Sequence, residues 1–322
     1  MVCKITNANK SLNATTSTQS NTVQCLYQQI QGGSFSSVSK SLTVTINHPN
    51  LVLNLTATDK SNSTVYNQNA NININSVMQF KLTFQNNSSI KLVNGTIEIP
   101  ISGNFLFYEV NTAVFCTAAY NSTSKKIIIS IPQLDASTTG YVYFTVVPQS
   151  ALRAGTSIAT QATAVSYYND ISPSKVYSSE KSNIITCTLT SGVSLTPDPL
   201  TKINDSTSFV VTQPGNTAVI LDYFKNTGGG YDDFTLIIQK VGIPYTLYID
   251  NVKIADVPKN TLYQQTLPIM SNLASNTTKV IQINALIPSN NPLGTRYDFI
   301  VTAKSVTNPY PEQTVLNIDP SF

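Results

Sequence analysis

Apolar residues in this chain come in short runs that alternate with polar ones. The stretch MQFKLTF sets Met78, Phe80, Leu82 and Phe84 against Gln79, Lys81 and Thr83. LVLNL groups Leu51, Leu53 and Leu55 in the same way, and TRYDFIVTAKS near the end alternates likewise. A period of two belongs to half-buried strands, because successive side chains of a strand point to opposite faces. Between the runs lie turn formers: NNSS at 86–89, PGN at 214–216, NTGGG at 226–230, DN at 250–251 and NNPLG at 290–294. Such clusters end strands and reverse the chain. No segment carries a sustained helical period; SALRAGT at 150–156 is at most one short turn. Many short strands with no crossover helices predict an all-β protein made of antiparallel sandwiches.

The length of 322 residues suits two such domains. We expect an N-terminal strand arm over 1–46, a first immunoglobulin-like sandwich over 47–192 and a second over 193–322. TSGVSLTPDP, with Gly192, Pro197 and Pro199, reads as the linker between the sandwiches. QQIQGGSFSSVSK at 28–40 reads as a flexible, Gly/Ser-rich link behind the arm.

Only 11% of residues are charged and the net charge is +3. A globular domain ordinarily carries about 25% charged residues. Low charge together with strand-rich text favours association. No basic run interleaves with aromatics, so nucleic acid is not an expected partner. No apolar stretch reaches the roughly 18 to 20 residues of a membrane span. The opening MVCKITNANKSLNATT lacks an apolar h-region, so no signal peptide is expected.

Catalytic, cofactor and metal sites find no constellation. His48 is the sole histidine and precedes a proline. Asp232 and Asp233 in GGGYDD lack the alternating acidic ligands of a calcium loop and read as part of a hairpin turn. Lys81 alternates outward, which speaks against an isopeptide bond. The triplets at Asn54, Asn87, Asn94, Asn121 and Asn276 match a glycosylation pattern that an Asn/Ser/Thr-rich chain produces by chance. We expect no enzyme and no cofactor.

The four cysteines, Cys3, Cys25, Cys116 and Cys187, are the cross-link candidates. SNTVQC, ending at Cys25, parallels SNIITC, ending at Cys187. Carrying that offset back sets Cys3-Lys4-Ile5-Thr6 on Val165-Ser166-Tyr167-Tyr168. The arm therefore reads as two strands of the kind that close the first domain. Four cysteines allow three pairings. They either link arm to domain between subunits, pair within the arm and within the domain, or stay reduced.

The first domain resembles the surface repeat called domain of unknown function eleven. The resemblance lies in VMQFKLTFQNNSSIKLVNGTIEIPISGNFLFYEV, KKIIISIPQLDASTTGYVYFTVVP, SIATQATAVSYY and KSNIITC, taken in order. It implies an immunoglobulin-like module of a bacterial or archaeal surface protein. Members often carry a cysteine pair in a central hairpin. Here Cys116 stands at the first place, and the second, near Ile128, has none. That leaves Cys116 as the expected end of an intersubunit bond to Cys25. The implied function is a structural subunit of a surface filament, above all a spore appendage. Its partner would be itself, with a surface anchoring protein as a further one, at the spore or extracellular surface. The alternative is an adhesin or carbohydrate-binding sandwich.

Overall fold

The computed structural model describes residues 2–8, 16–27, 36–47, 49–169, 176–292, 294–308, 310 and 312–319, the first three stretches as backbone strands. Those strands are β1 (Val2–Ala8), β2 (Thr16–Tyr27) and β3 (Ser36–Asn47). They form an antiparallel sheet of their own in the order β1-β2-β3. The expected link at 28–40 is therefore shorter than its composition suggested. Ser36 to Lys40 pair with Tyr27 to Val23 in β3, because serine alternating with valine and threonine satisfies a strand as readily as a linker. The rest of that stretch, 28–35, lies outside the described residues.

The first sandwich contains β4 (Leu51–Asp59), β5 (Thr64–Tyr66), β6 (Asn69–Ile72), β7 (Met78–Asn86), β8 (Leu92–Pro100) and β9 (Phe105–Val114). It continues with β10 (Thr117–Asn121), β11 (Lys126–Leu134), β12 (Thr139–Pro148), β13 (Ser157–Thr160), β14 (Thr163–Asn169) and β15 (Ile185–Leu189). One layer runs β5-β4-β7-β12-β9; the other is split into β10-β11-β8-β14 and β13-β15-β6. All pairs are antiparallel except β6 with the closing strand β15.

Met78, Phe80, Leu82 and Phe84 are fully buried, as their alternation requires. Phe80 stacks on Phe144 at 5.1 Å between ring centres and meets Phe105 edge-on at 6.3 Å. Each such side chain contributes roughly 1.5–3 kcal/mol by leaving water.

The second sandwich begins with β16 (Val193–Pro197), β17 (Lys202–Asn204), β18 (Thr207–Val211), β19 (Thr217–Asn226), β20 (Phe234–Ile238) and β21 (Tyr245–Ile249). It ends with β22 (Val252–Val257), β23 (Tyr263–Thr266), β24 (Thr278–Leu286), β25 (Tyr297–Ser305) and β26 (Glu312–Asp319). Its layers are β16-β19-β24-β21-β22 and β17-β18-β26-β25-β20-β23. This is the immunoglobulin arrangement, in which the first, second, fifth and fourth strands oppose the third, sixth and seventh. The first sandwich repeats it with β4, β7, β12 and β9 in one layer. A single 3-10 turn, Pro268–Met270, is the one helical segment among the described residues.

The expected linker is largely strand. Val193–Pro197 pairs with Asn226 through Asp222 and buries Val193 and Leu195. Pro197 ends an edge strand, where its missing N–H costs no ladder bond. Only Thr190, Ser191 and Gly192 separate β15 from β16.

Candidate functional site

Backbone register defines the arm. Cys3 lies directly opposite Cys25, and Cys25 lies opposite Val38 on its other side. Ile5 faces Val23 across the same pair of strands. Alternation groups Cys3, Ile5, Val23, Cys25, Val38, Leu42, Val44 and Ile46 on one face of the sheet, together with Asn7, Ser17, Gln19, Asn21 and Lys40. The opposite face collects mainly Ser, Thr, Gln and Lys positions. Apolar positions thus gather on one face of the arm but are interrupted by polar ones, Lys40 standing opposite Val23 and Asn21 opposite Leu42.

The phrase shared by Cys25 and Cys187 is not a structural repeat. Cys25 sits between two antiparallel neighbours. Cys187 in β15 is opposite Ile158 on one side and, in parallel pairing, Ala70 on the other. The strand expected to match β1 of the arm, β14, pairs with β8 and not with β15. Sequence likeness at the cysteines reflects strand alternation, which many strands share: the first phrase lies wholly inside β2, while the second begins ahead of β15.

The two domain cysteines are free thiols in different settings. Cys187 is fully buried in the core, and desolvation pushes its thiol up to about 12, with the Asp59 carboxylate adding to the shift. Cys116 is half-buried in the turn between β9 and β10, with Sγ 3.9 Å from the Tyr141 carbonyl oxygen. Desolvation pushes it up to about 11, against a lowering backbone hydrogen bond from Val114. Ile128, near the vacant second cysteine position, is opposite Ala119. Neither thiol is a ready nucleophile, since the thiolate is the reactive form.

An open strand edge lies beside Cys116. β9 closes its layer and pairs with β12 alone. Along it, Leu106 is 51% and Tyr108 69% exposed, and Phe115 just beyond is 55% exposed. Phe107 turns the other way and stacks on Tyr120 at 4.2 Å. Two register shifts against β12 break the alternation here, which is why the sequence pattern did not single out this strand.

The NTGGG stretch is a docking loop between the sandwiches, not a hairpin turn. Gly229 donates to the Thr190 carbonyl at 2.7 Å and accepts from Ile74 N–H at 2.8 Å. Tyr231 and Leu152–Ala154 exchange two backbone hydrogen bonds of 3.0 and 2.8 Å, and Arg153 pairs with Asp233 at 2.5 Å. The SALRAGT stretch is thus no helical turn but one side of this junction. A Cβ on Gly229 would come within 2.5 Å of the Ile72 oxygen, and one on Gly230 within 2.7 Å of the Leu152 oxygen. These glycines permit close approach of two backbones.

Asp232 and Asp233 are spent on structure. Asp232 is buried and accepts hydrogen bonds from Ser305 at 2.5 Å and Thr307 at 2.9 Å. Asp233 holds Arg153 and the Asn272 N–H. Among the described residues no three acidic, histidine or cysteine side chains gather as metal ligands. Lys81 lies over the Tyr141 ring at 4.8 Å. His48 lies outside the described residues. Among the described residues no helix is long and apolar enough to cross a membrane.

No family model and no curated protein matches this chain. Among solved structures it is similar to the C-terminal domain of the Streptococcus agalactiae AgI/II polypeptide BspA, at 7% identity and a TM-score of 0.34, over 82% of this chain and 99% of that one. It is similar to BcpA, the major pilin subunit of Bacillus cereus, at 9% identity and a TM-score of 0.37, over 94% and 85%. The full-length major pilin SpaD of Corynebacterium diphtheriae gives 10% identity and a TM-score of 0.37, over 93% and 89%. Similarity at this level carries no functional assignment, so the functional reading rests on the geometry of this chain.

Proposed function

We propose that this chain is the structural subunit of a surface filament and that its arm joins each subunit to the next. The observation that carries this reading is the arm's separate sheet. Among the described residues β1, β2 and β3 pair only with one another, although β2 and β3, at 12 residues each, are longer than the 10-residue strands that are the longest elsewhere. A small sheet whose apolar positions gather on one face gains stability by packing that face on another surface. Its outer strands also offer unpaired backbone groups, which strand addition satisfies. The open edge of β9, with Leu106 and Tyr108 exposed, has the complementary chemistry. An arm given by each subunit and received by the next is a heterologous contact, and such contacts propagate into fibres. The place of assembly would be a spore or extracellular surface, as the sequence reading expected.

Removal of residues 1–46 tests the proposal. The two sandwiches keep their own cores and should remain folded by circular dichroism, while electron microscopy finds no filaments. Filaments of normal appearance from the truncated protein would overturn it. A full-length protein that stays monomeric and binds glycans on an array would favour the adhesin reading instead.

A further inference from the structure

We propose that Cys3 and Cys25 close a disulfide within the arm, and that this bond staples β1 to β2 before the arm meets any partner. The carrying observation is their register: the two residues are directly opposite in an antiparallel pair. Directly opposite Cα atoms in such a pair lie about 4.5 Å or about 5.5 Å apart, depending on whether the pair is hydrogen-bonded. Both spacings fall within the roughly 4.4 to 6.8 Å that a disulfide spans. Alternation puts both positions on one face, so no rotation of either strand is needed.

A second observation comes from the other two cysteines. Cys187 is enclosed in the core and Cys116 is half-buried against β12, so neither is poised to compete for Cys25. The arm also needs a staple more than the sandwiches do. Three strands in a single layer cannot enclose a core, and small units of that kind are commonly held by disulfides. Closing a loop of about 22 residues restricts the open chain substantially. Positions with the highest demand for a cross-link and the geometry to form one therefore coincide.

The bond forms by thiol–disulfide exchange with a low-molecular-weight disulfide. The thiolate of one cysteine attacks a sulfur of the oxidant and expels one small thiol. The second cysteine then attacks the mixed disulfide and expels the other. Two protein thiols lose two electrons and two protons in all, and the oxidant is reduced to two small thiols. The staple is independent of where the arm docks, since it forms within one chain.

The test uses the full chain, held dilute and incubated with glutathione disulfide at pH 8. It is then alkylated in denaturant without reductant and digested with trypsin. Trypsin cuts after Lys4, Lys10 and Lys40, so Cys3 leaves on peptide 1–4 and Cys25 on peptide 11–40. We expect these two peptides joined and only Cys116 and Cys187 alkylated. Cys3→Ser should free Cys25 and raise the alkylated count by one. Reduction should speed proteolysis within the arm by on the order of 100-fold, from the lost loop constraint. Four alkylated cysteines, Cys25 joined to Cys116, or a proteolysis rate indifferent to reductant would each overturn the staple. Filament formation by the doubly substituted Cys3→Ser, Cys25→Ser chain would leave the arm's connecting role intact while showing that the staple is dispensable for it.

Discussion

Asn86 and Asn226 hold the same post in the two sandwiches. Each ends the second strand of its immunoglobulin layer, β7 or β19, and each is fully buried. Asn86 Nδ2 donates to the carbonyls of Ile90, Leu134 and Asp135 at 2.7, 3.0 and 3.2 Å. Asn226 Nδ2 donates to Gly230, Leu273 and Ala274 at 3.1, 2.9 and 3.1 Å. Their backbones match as well. Asn86 N–H donates to Thr138 and its carbonyl accepts from Ser137, as Asn226 does with Thr277 and Asn276. Ser137 and Asn276 both have positive φ, 60° and 65°. One asparagine thus ties the loop after its strand to the loop before the fifth strand.

Replacing that amide removes three hydrogen bonds at once, although Ile90 and Asp135 keep a second donor in Ser88 and Thr138, as Leu273 and Ala274 do in Asp232 and Thr277. Each lost bond costs about 0.5–1.5 kcal/mol. We expect Asn86→Ala to destabilise the first sandwich, and Asn226→Ala the second, by roughly 2–4 kcal/mol. Urea denaturation followed by circular dichroism measures both. Asn86→Asp should be at least as damaging at pH 7, because it sets a carboxylate against three carbonyl oxygens. A loss under about 0.5 kcal/mol, the range of an ordinary surface change, would show that water replaces the amide.

The junction makes a different demand. Gly229→Ala and Gly230→Ala place a Cβ against backbone of the first sandwich, which cannot yield as a flexible side chain would. We expect each to loosen the pair of sandwiches while leaving their own melting transitions nearly unchanged. Small-angle scattering should report a larger radius of gyration, and protease should cut faster at 190–192. Gly103→Ala is the control, since nothing lies within 4 Å of its added Cβ. Unchanged scattering from both junction variants would mean that the loop does not set the domain arrangement.

The strands were readable because burial on a sheet has a period of two. Met78 through Phe84 and Leu51 through Leu55 alternate in sequence and alternate in exposure. What escaped was pairing between distant segments. Three glycines mark either a turn or a close approach, and the approaching chain at Ile72 and Leu152 is far from Gly229 in sequence. Val193–Pro197 looked like a linker because edge strands tolerate proline. β9 was hidden by its register shifts. The internal repeat that matters runs through Phe84-x-Asn86 with Leu134…Thr138-Thr139, and Phe224-x-Asn226 with Leu273…Thr277-Thr278. It was legible in the letters, but its offset differs from that of the two cysteine phrases, and only the shared hydrogen bonds give it meaning.

The domain thiols offer a check on burial. Cys116 is pushed up to about 11 and Cys187 to about 12 by desolvation. At pH 8 a thiol shifted up by about two units is roughly a hundredfold less ionised than an ordinary one near 8.5–9. We expect Ellman's reagent to modify Cys116 slowly in the native protein and Cys187 only on unfolding. Cys187→Ala should abolish the unfolding-dependent phase. Rapid native modification of Cys187 would contradict its place between β13 and β6.

Asp222 should give the second sandwich an inverted pH dependence. Its carboxyl is fully buried on β19, in register with Ile281 and Pro197. Oδ2 accepts from Thr314 Oγ1 at 2.5 Å, and Oδ1 has no partner. Burial pushes its pKa up to about 6, against the lowering hydrogen bonds from Thr314 and the Tyr223 backbone. The folded state therefore holds this proton more tightly than the unfolded chain, whose carboxyl ionises near 4. Stability from Asp222 is intact below about pH 4, falls between about 4 and 6, and stays reduced above that. The loss is on the order of 3 kcal/mol. Asp250, whose pKa is lowered by Lys279 and the Val280 N–H despite partial burial, works in the opposite sense and loses its contribution as pH falls. The difference between wild type and Asp222→Asn isolates the buried group. The variant should match wild type near pH 4 and exceed it at pH 7.5, with the two curves separating across the window between. Tyrosine fluorescence reports the transition without interference, since the chain has no tryptophan. Curves that stay parallel from pH 4 to 7.5 would show that Asp222 keeps an ordinary carboxylate pKa, and that water reaches Oδ1.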